Sequence, residues 1–173
     1  MEAVGRILGE VLAWLVIALM AILTAVVVVA VVYRKAGASL SWYDEVASVL
    51  LVWITYYGAA LAALKRSHIG VDNLLLTLPL PARKIAVVLA EFFVILFFVL
   101  LAWAGWRVLQ VLAGMSLISL TWVPVQFTQS VIPIGAILFI IAEIISLPTY
   151  WRDVMAGRSA ELAALEPGPG GGG

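Results

Sequence analysis

Nineteen consecutive residues without a charge, Val46 to Leu64, are bracketed by Asp44 and Glu45 at one end and by Lys65 and Arg66 at the other. As a helix this run can just cross a hydrocarbon layer of about 30 Å, so its charged flanks mark the two membrane surfaces. Acids in the first turn and bases after the last also suit the helix dipole, and Ser41 is a candidate N-cap. Composition extends the argument to the whole chain. Charged residues make up 12% and apolar residues 65%, against about 25% charged in an ordinary soluble domain. The expected fold is an all-α integral membrane protein with four transmembrane helices, and a separate soluble domain has no room.

The first span is read at residues 11–33, the second at 42–64, the third at 85–112 and the fourth at 129–147, as a single membrane domain over residues 1–155. Arg6 ahead of an apolar run also fits a cleaved signal peptide. However, the 23 uncharged residues from Val11 to Tyr33 exceed the apolar region such a peptide needs. Between the second and third spans, residues 68–84 are too polar to cross. Pro79 and Pro81 interrupt a continuous helix there, and Leu74, Leu75, Leu76 and Leu78 suggest a short interfacial segment. Val108 to Ala142 is a charge-free run of 35 residues, about 52 Å if wholly helical, and so must be broken. Gly114, Pro124 and Pro133 are the expected interruptions, with residues 116–128 as a surface or shallow re-entrant connection. Residues 156–173 are expected to form a flexible tail, and from Glu166 onward it is too glycine-rich to fold.

With four spans, Arg6, Lys65, Arg66, Arg83, Lys84, Arg152 and Arg158 share one side, while Arg34, Lys35 and Arg107 lie on the other. Seven against three predicts cytoplasmic termini. Trp14, Trp42, Trp122 and Trp151 fall near the predicted interfaces, as an aromatic belt would.

Ionisable residues in lipid need a reason. Glu91 and Glu143 are placed two turns and one turn, respectively, from the cytoplasmic ends of their helices, within reach of Lys65, Arg66, Arg83 or Lys84. Arg107 is placed with Asp44 and Glu45. Two clusters of paired charges, one near each surface, are expected to lock helices together or to a partner; an ion or proton pathway is the rival reading. His68 is the single histidine, with Asp72 at i+4, which favours a local hydrogen bond over a metal site. There is no G-x-S-x-G turn, no phosphate-binding glycine loop and no cysteine, so neither catalysis nor a cofactor is expected. A formal charge of zero gives no basis for nucleic-acid binding. Small residues recur at Gly5, Gly9 and Ala13, at Gly58 and Ala62, and at Ala59 and Ala63, which lets helix backbones approach closely.

The order Arg34, Ser41-Trp42-Tyr43-Asp44-Glu45, Trp53, Gly58-Ala59-Ala60, His68-Ile69-Gly70-Val71-Asp72 and Leu78-Pro79, then Pro133-Ile134-Gly135, resembles the small membrane subunit (DctQ type) of tripartite ATP-independent periplasmic (TRAP) transporters. Lys35 departs from the aromatic usual after the arginine, and Lys65-Arg66-Ser67 is more basic than the family pattern. The resemblance implies a bacterial inner-membrane protein and two partners, besides membrane lipids: a large membrane subunit holding the transport path and sodium sites, and a periplasmic binding protein that delivers an organic acid. The small subunit would be a scaffold offering part of the docking surface. Trp42, Asp44 and Glu45 would organise the periplasmic start of helix 2, and His68 and Asp72 the cytoplasmic turn after it. The rival readings are a self-assembling exporter using Glu91 or Glu143, and a membrane enzyme.

Overall fold

The computed structural model describes residues 2–65 and 79–156. His68, Asp72, the interfacial segment around Leu74 to Leu78 and the tail beyond residue 156 lie outside the described residues. Among the described residues there are five helices: α1 Glu2–Lys35, α2 Tyr43–Lys65, α3 Leu80–Val111, the short α4 Val125–Gln129 and α5 Val131–Met155. Ser130, in the right-handed helical region, joins α4 to α5, so residues 125–152 act as one crossing segment. With α1, α2 and α3 this makes four segments long and apolar enough to span a membrane.

Three helices run past the ends set by the charge pattern. α1 starts at Glu2, not residue 11, because Arg6 and Glu10 end the hydrocarbon stretch without ending the helix. Its 34 residues cover about 51 Å, so the charged first turns project beyond the lipid core. α3 starts at Leu80, with Pro79 at the N-cap and Pro81 in the first turn, where a missing N–H costs nothing. α5 passes through Pro148 to Met155; the proline removes one backbone bond but leaves the helix intact. The cap position of α2 belongs to Trp42, whose carbonyl accepts the Val46 N–H at 3.1 Å, and not to Ser41. α1 ends on Gly37 at φ +81, with Ala38 N–H donated to the Tyr33 carbonyl and Gly37 N–H to the Arg34 carbonyl. This is a Schellman closure, in which glycine carries the left-handed turn.

The spans form an open row in the order α1, α2, α5, α3, with α1 touching α5 only lightly. α2 and α5 are the inner helices and α1 and α3 are the edges. One end of the row carries the α1–α2 turn and the loop after α3 (the loop face). The other carries the start of α1, the end of α2, the start of α3 and the end of α5 (the terminal face). Close approach is made by glycine. A Cβ on Gly135 would meet Tyr56 Cβ at 2.7 Å, and one on Gly105 would meet Ile132 Cγ2 at 2.8 Å. These two glycines bring α5 against α2 and α3. Gly5 and Gly9 lie against Leu64, with Gly5 also against Ile145, so that pair serves internal packing. On α2 the fully covered small residues are Ala60 and Ala63, while Gly58 faces open space.

The core is small. Leu12, Ala60, Ala63, Phe139 and Ala142 form its centre, and Phe98 stacks on Phe139 with ring centroids 3.6 Å apart. Val87 and Val154 form a second cluster at the terminal face. Most of α1 and α3 remains exposed, including Trp14, Ile17, Phe92, Phe97 and Trp103. Helices in lipid need no aqueous hydrophobic core, so a thin seam of close contacts can hold them together.

Candidate functional site: the loop-face cluster

Most charged residues lie toward the two ends of the row, and at the loop face they join a set of side chains that tie separate elements together. After α3 the chain turns at Gly114, at φ +83. It then folds into a hairpin whose arms meet at Ser116 and Pro124. Leu117 N–H is donated to the Val123 carbonyl at 3.0 Å, Val125 N–H to the Met115 carbonyl at 3.0 Å, and Val123 N–H to the Leu120 carbonyl at 2.9 Å. The tip amides of Ile118 and Ser119 are not used within the hairpin. Glu45, in the first turn of α2, takes both of them: one carboxylate oxygen accepts Ile118 N–H at 3.0 Å and the other accepts Ser119 N–H at 2.9 Å. The Ser119 hydroxyl also donates to the second oxygen. A carboxylate offers four acceptor positions, and charge-assisted bonds are the stronger kind. Glu45 therefore fastens the hairpin tip to the start of α2.

Two further bonds fasten the segment behind the hairpin. Gln126 Nε2 donates to the Leu109 carbonyl at 2.9 Å, tying α4 to the end of α3. Trp53 Nε1 donates to the Thr128 carbonyl at 2.9 Å, tying α2 to α4. The Trp53 ring meets Phe127 edge-on at 5.3 Å, while the Thr128 hydroxyl returns to the Val125 carbonyl. The uncharged polar residues of this connection thus hold it in place. Nearby, Arg34 donates to the Tyr43 hydroxyl and lies over the same ring at 5.4 Å, which closes the α1–α2 turn. Trp42 is half-buried immediately before α2, and Asp44 is exposed.

The expected pairing of Arg107 with Asp44 or Glu45 does not form. Glu45 is engaged by the hairpin, and Arg107 is exposed with its guanidinium over Trp103 at 5.8 Å. At the terminal face Arg83, only 9% exposed, donates to the Val154 carbonyl at 3.1 Å. It thereby supports the last turn of α5, where a cation also suits the dipole.

Glu143 is 4% exposed and sits at the centre of α5, not one turn from its end, because the helix continues past Pro148. Beside it Ser146 Oγ bonds the carbonyls of Ala63, at 3.3 Å, and Glu143, at 3.1 Å, bridging α5 to α2. Gly105 against Ile132 and Phe98 on Phe139 set the register of α3 on α5. In that register Glu91, half-buried on α3, lies slightly under one turn, roughly 4.5 Å, nearer the terminal face than Glu143.

The sequence singles out Glu45 by its place at a span end, but not its partner Ser119, nor Gln126, Thr128 and Arg83 as ties between other elements. Their signal was faint: polar side chains inside a charge-free run, and one base among Lys65, Arg66, Arg83 and Lys84. Among the described residues no group of three or more His, Cys, Asp or Glu could hold a metal.

Residues 23–153 match the family model described as the DctQ component of tripartite ATP-independent periplasmic transporters. No curated protein matches the chain.

Proposed function

Since the chain belongs to the DctQ component family of tripartite ATP-independent periplasmic transporters, with a match over residues 23–153, we propose that it is the scaffold of a sodium-coupled, binding-protein-dependent organic-acid transporter in a bacterial inner membrane. As a DctQ component it is a transporter subunit and not an enzyme. Its partners are a large membrane subunit, which carries the substrate path, and a soluble binding protein. The proposed topology has both termini in the cytoplasm and the loop face in the periplasm, following the excess of Lys and Arg on the terminal side.

One observation carries the scaffold reading: the four spans lie in an open row. Each edge helix keeps a long apolar flank available to another membrane protein. A row of this kind encloses no lumen, and the charges with known contacts fix helix ends and loops in place. Glu45, Trp53 and Gln126 hold the loop end of the row in one shape, which keeps the neighbouring α1–α2 turn fixed as a docking surface for a soluble protein. Arg34, Trp42 and Asp44 belong to the same face. Arg107 lies at the loop-face end of α3, and Glu91 and Glu143 serve helix association within the row. His68 and Asp72 are proposed to shape the turn after α2. Membrane lipids cover the remaining apolar surface.

Co-expression with the large subunit tests this. A stable complex that survives detergent extraction and size-exclusion chromatography is expected; a chain that purifies alone and transports substrate without a partner would support the exporter reading using Glu91 or Glu143.

A further inference from the structure

The hairpin at residues 115–124 presents apolar side chains where a loop between spans would ordinarily present polar ones. Ile118 is 93% exposed and Trp122 80%, and Met115 is exposed beside them. No residue from Val108 to Ala142 carries a charge, so the hairpin itself brings no charged side chain into the boundary, where one would be costly.

Its depth is set by contacts already described. Glu45 stands one residue before the 19-residue apolar run of α2, which is where that helix leaves the hydrocarbon. Its carboxylate holds the tip amides at 2.9 and 3.0 Å, so the tip cannot rise into water away from the membrane boundary. The patch is also continuous along the chain with the exposed end of α3, where Trp106 and Val111 face outward. Trp is the residue most at home at that level, with an apolar body and a polar N–H.

We propose that the hairpin is an interfacial anchor: Ile118 and Trp122 insert into the boundary between lipid headgroups and acyl chains, and the Glu45 carboxylate holds the tip at that depth. The occupant is the lipid surface itself, and the anchor fixes the loop end of the row against the bilayer independently of the large subunit. Apolar groups at this boundary sit roughly 5–10 Å into the headgroup and acyl region.

This sequence contains no cysteine, so single labels can be placed in it by labelling the purified chain before the large subunit is added. Ile118→Cys and, separately, Trp122→Cys are labelled with an environment-sensitive fluorophore. The full chain is reconstituted, alone and with its large subunit, in phosphatidylethanolamine and phosphatidylglycerol vesicles; Ala38→Cys, in the α1–α2 turn beside Lys35, is the aqueous reference. Blue-shifted emission at both hairpin positions, quenched by lipids carrying a shallow doxyl group and resistant to aqueous iodide, is expected in both preparations. Iodide quenching equal to that at Ala38→Cys overturns the proposal. So does protection that appears only when the large subunit or a soluble binding protein is added, since the surface would then be a protein contact. Adding Glu45→Gln to Ile118→Cys should raise iodide access to the label; an unchanged depth would overturn the role given to the carboxylate.

Discussion

Glu45 bonds two backbone amides and a hydroxyl from a segment more than seventy residues away in the chain. Glu45→Gln keeps the shape but removes the charge and offers one acceptor oxygen where there were two. Faster amide hydrogen exchange at Ile118 and Ser119, with α2 itself unaffected, is the expected outcome; protection equal to wild type would remove the carboxylate from this role. The glycines give a second contrast at this scale. Gly135→Ala places a methyl 2.7 Å from Tyr56 Cβ and should destabilise the row by about 1–3 kcal/mol, as overpacking does. Gly58→Ala meets nothing within 4 Å and should be neutral or stabilising by about 0.5–1 kcal/mol through helix propensity. Thermal unfolding in detergent compares the two. Small-residue spacing picks out Gly58 with Ala62 and passes over Gly135, because it reports that a backbone could approach and not which face has a neighbour.

The elements were easier to locate than to end. Charge-free runs place the first two crossings, and long apolar stretches interrupted only by Glu91, Arg107 and Glu143 place the other two, since lipid excludes most charge. Those same charges misplace the ends, because a charge stops the hydrocarbon stretch while the helix continues into water. α1 keeps its turns around Arg6 and Glu10, and α5 keeps its turns around Arg152. The extension of α5 moves Glu143 to mid-helix and brings the Val154 carbonyl within reach of Arg83. Arg83→Met keeps the apolar stem and removes the donor. It should destabilise the packing of α3 on the end of α5 by about 1–3 kcal/mol, the range for a hydrogen bond to a charged group and the carbonyl left behind. Cross-linking between cysteines placed at positions 86 and 151 would register this as a slower and more heterogeneous reaction. The hairpin was legible only as a break. Its polar residues marked a connection between spans, but their partners Glu45, Leu109 and Trp53 lie on other helices, and no local pattern encodes such pairings.

At the scale of the molecule, the open row explains why so much of a 173-residue chain is apolar and outward-facing. A closed four-helix bundle would pair its first and last neighbours; here α1 and α3 stay apart at opposite edges. That shape suits a subunit whose activity depends on a larger partner, in keeping with its membership of the DctQ component family. The resemblance was readable from short motifs in order, several of which turn out to be structural: Tyr43 with Arg34, Glu45 with Ser119, Trp53 with Thr128 and Gly135 with Tyr56. The central claim is that this chain supports transport without conducting it. Reconstituted uptake of an organic acid into proteoliposomes tests that most directly, with this chain, the large subunit, the soluble binding protein and a sodium gradient supplied together or one at a time omitted. Uptake that needs all four is the predicted result, and substrate-driven transport by this chain alone would contradict it.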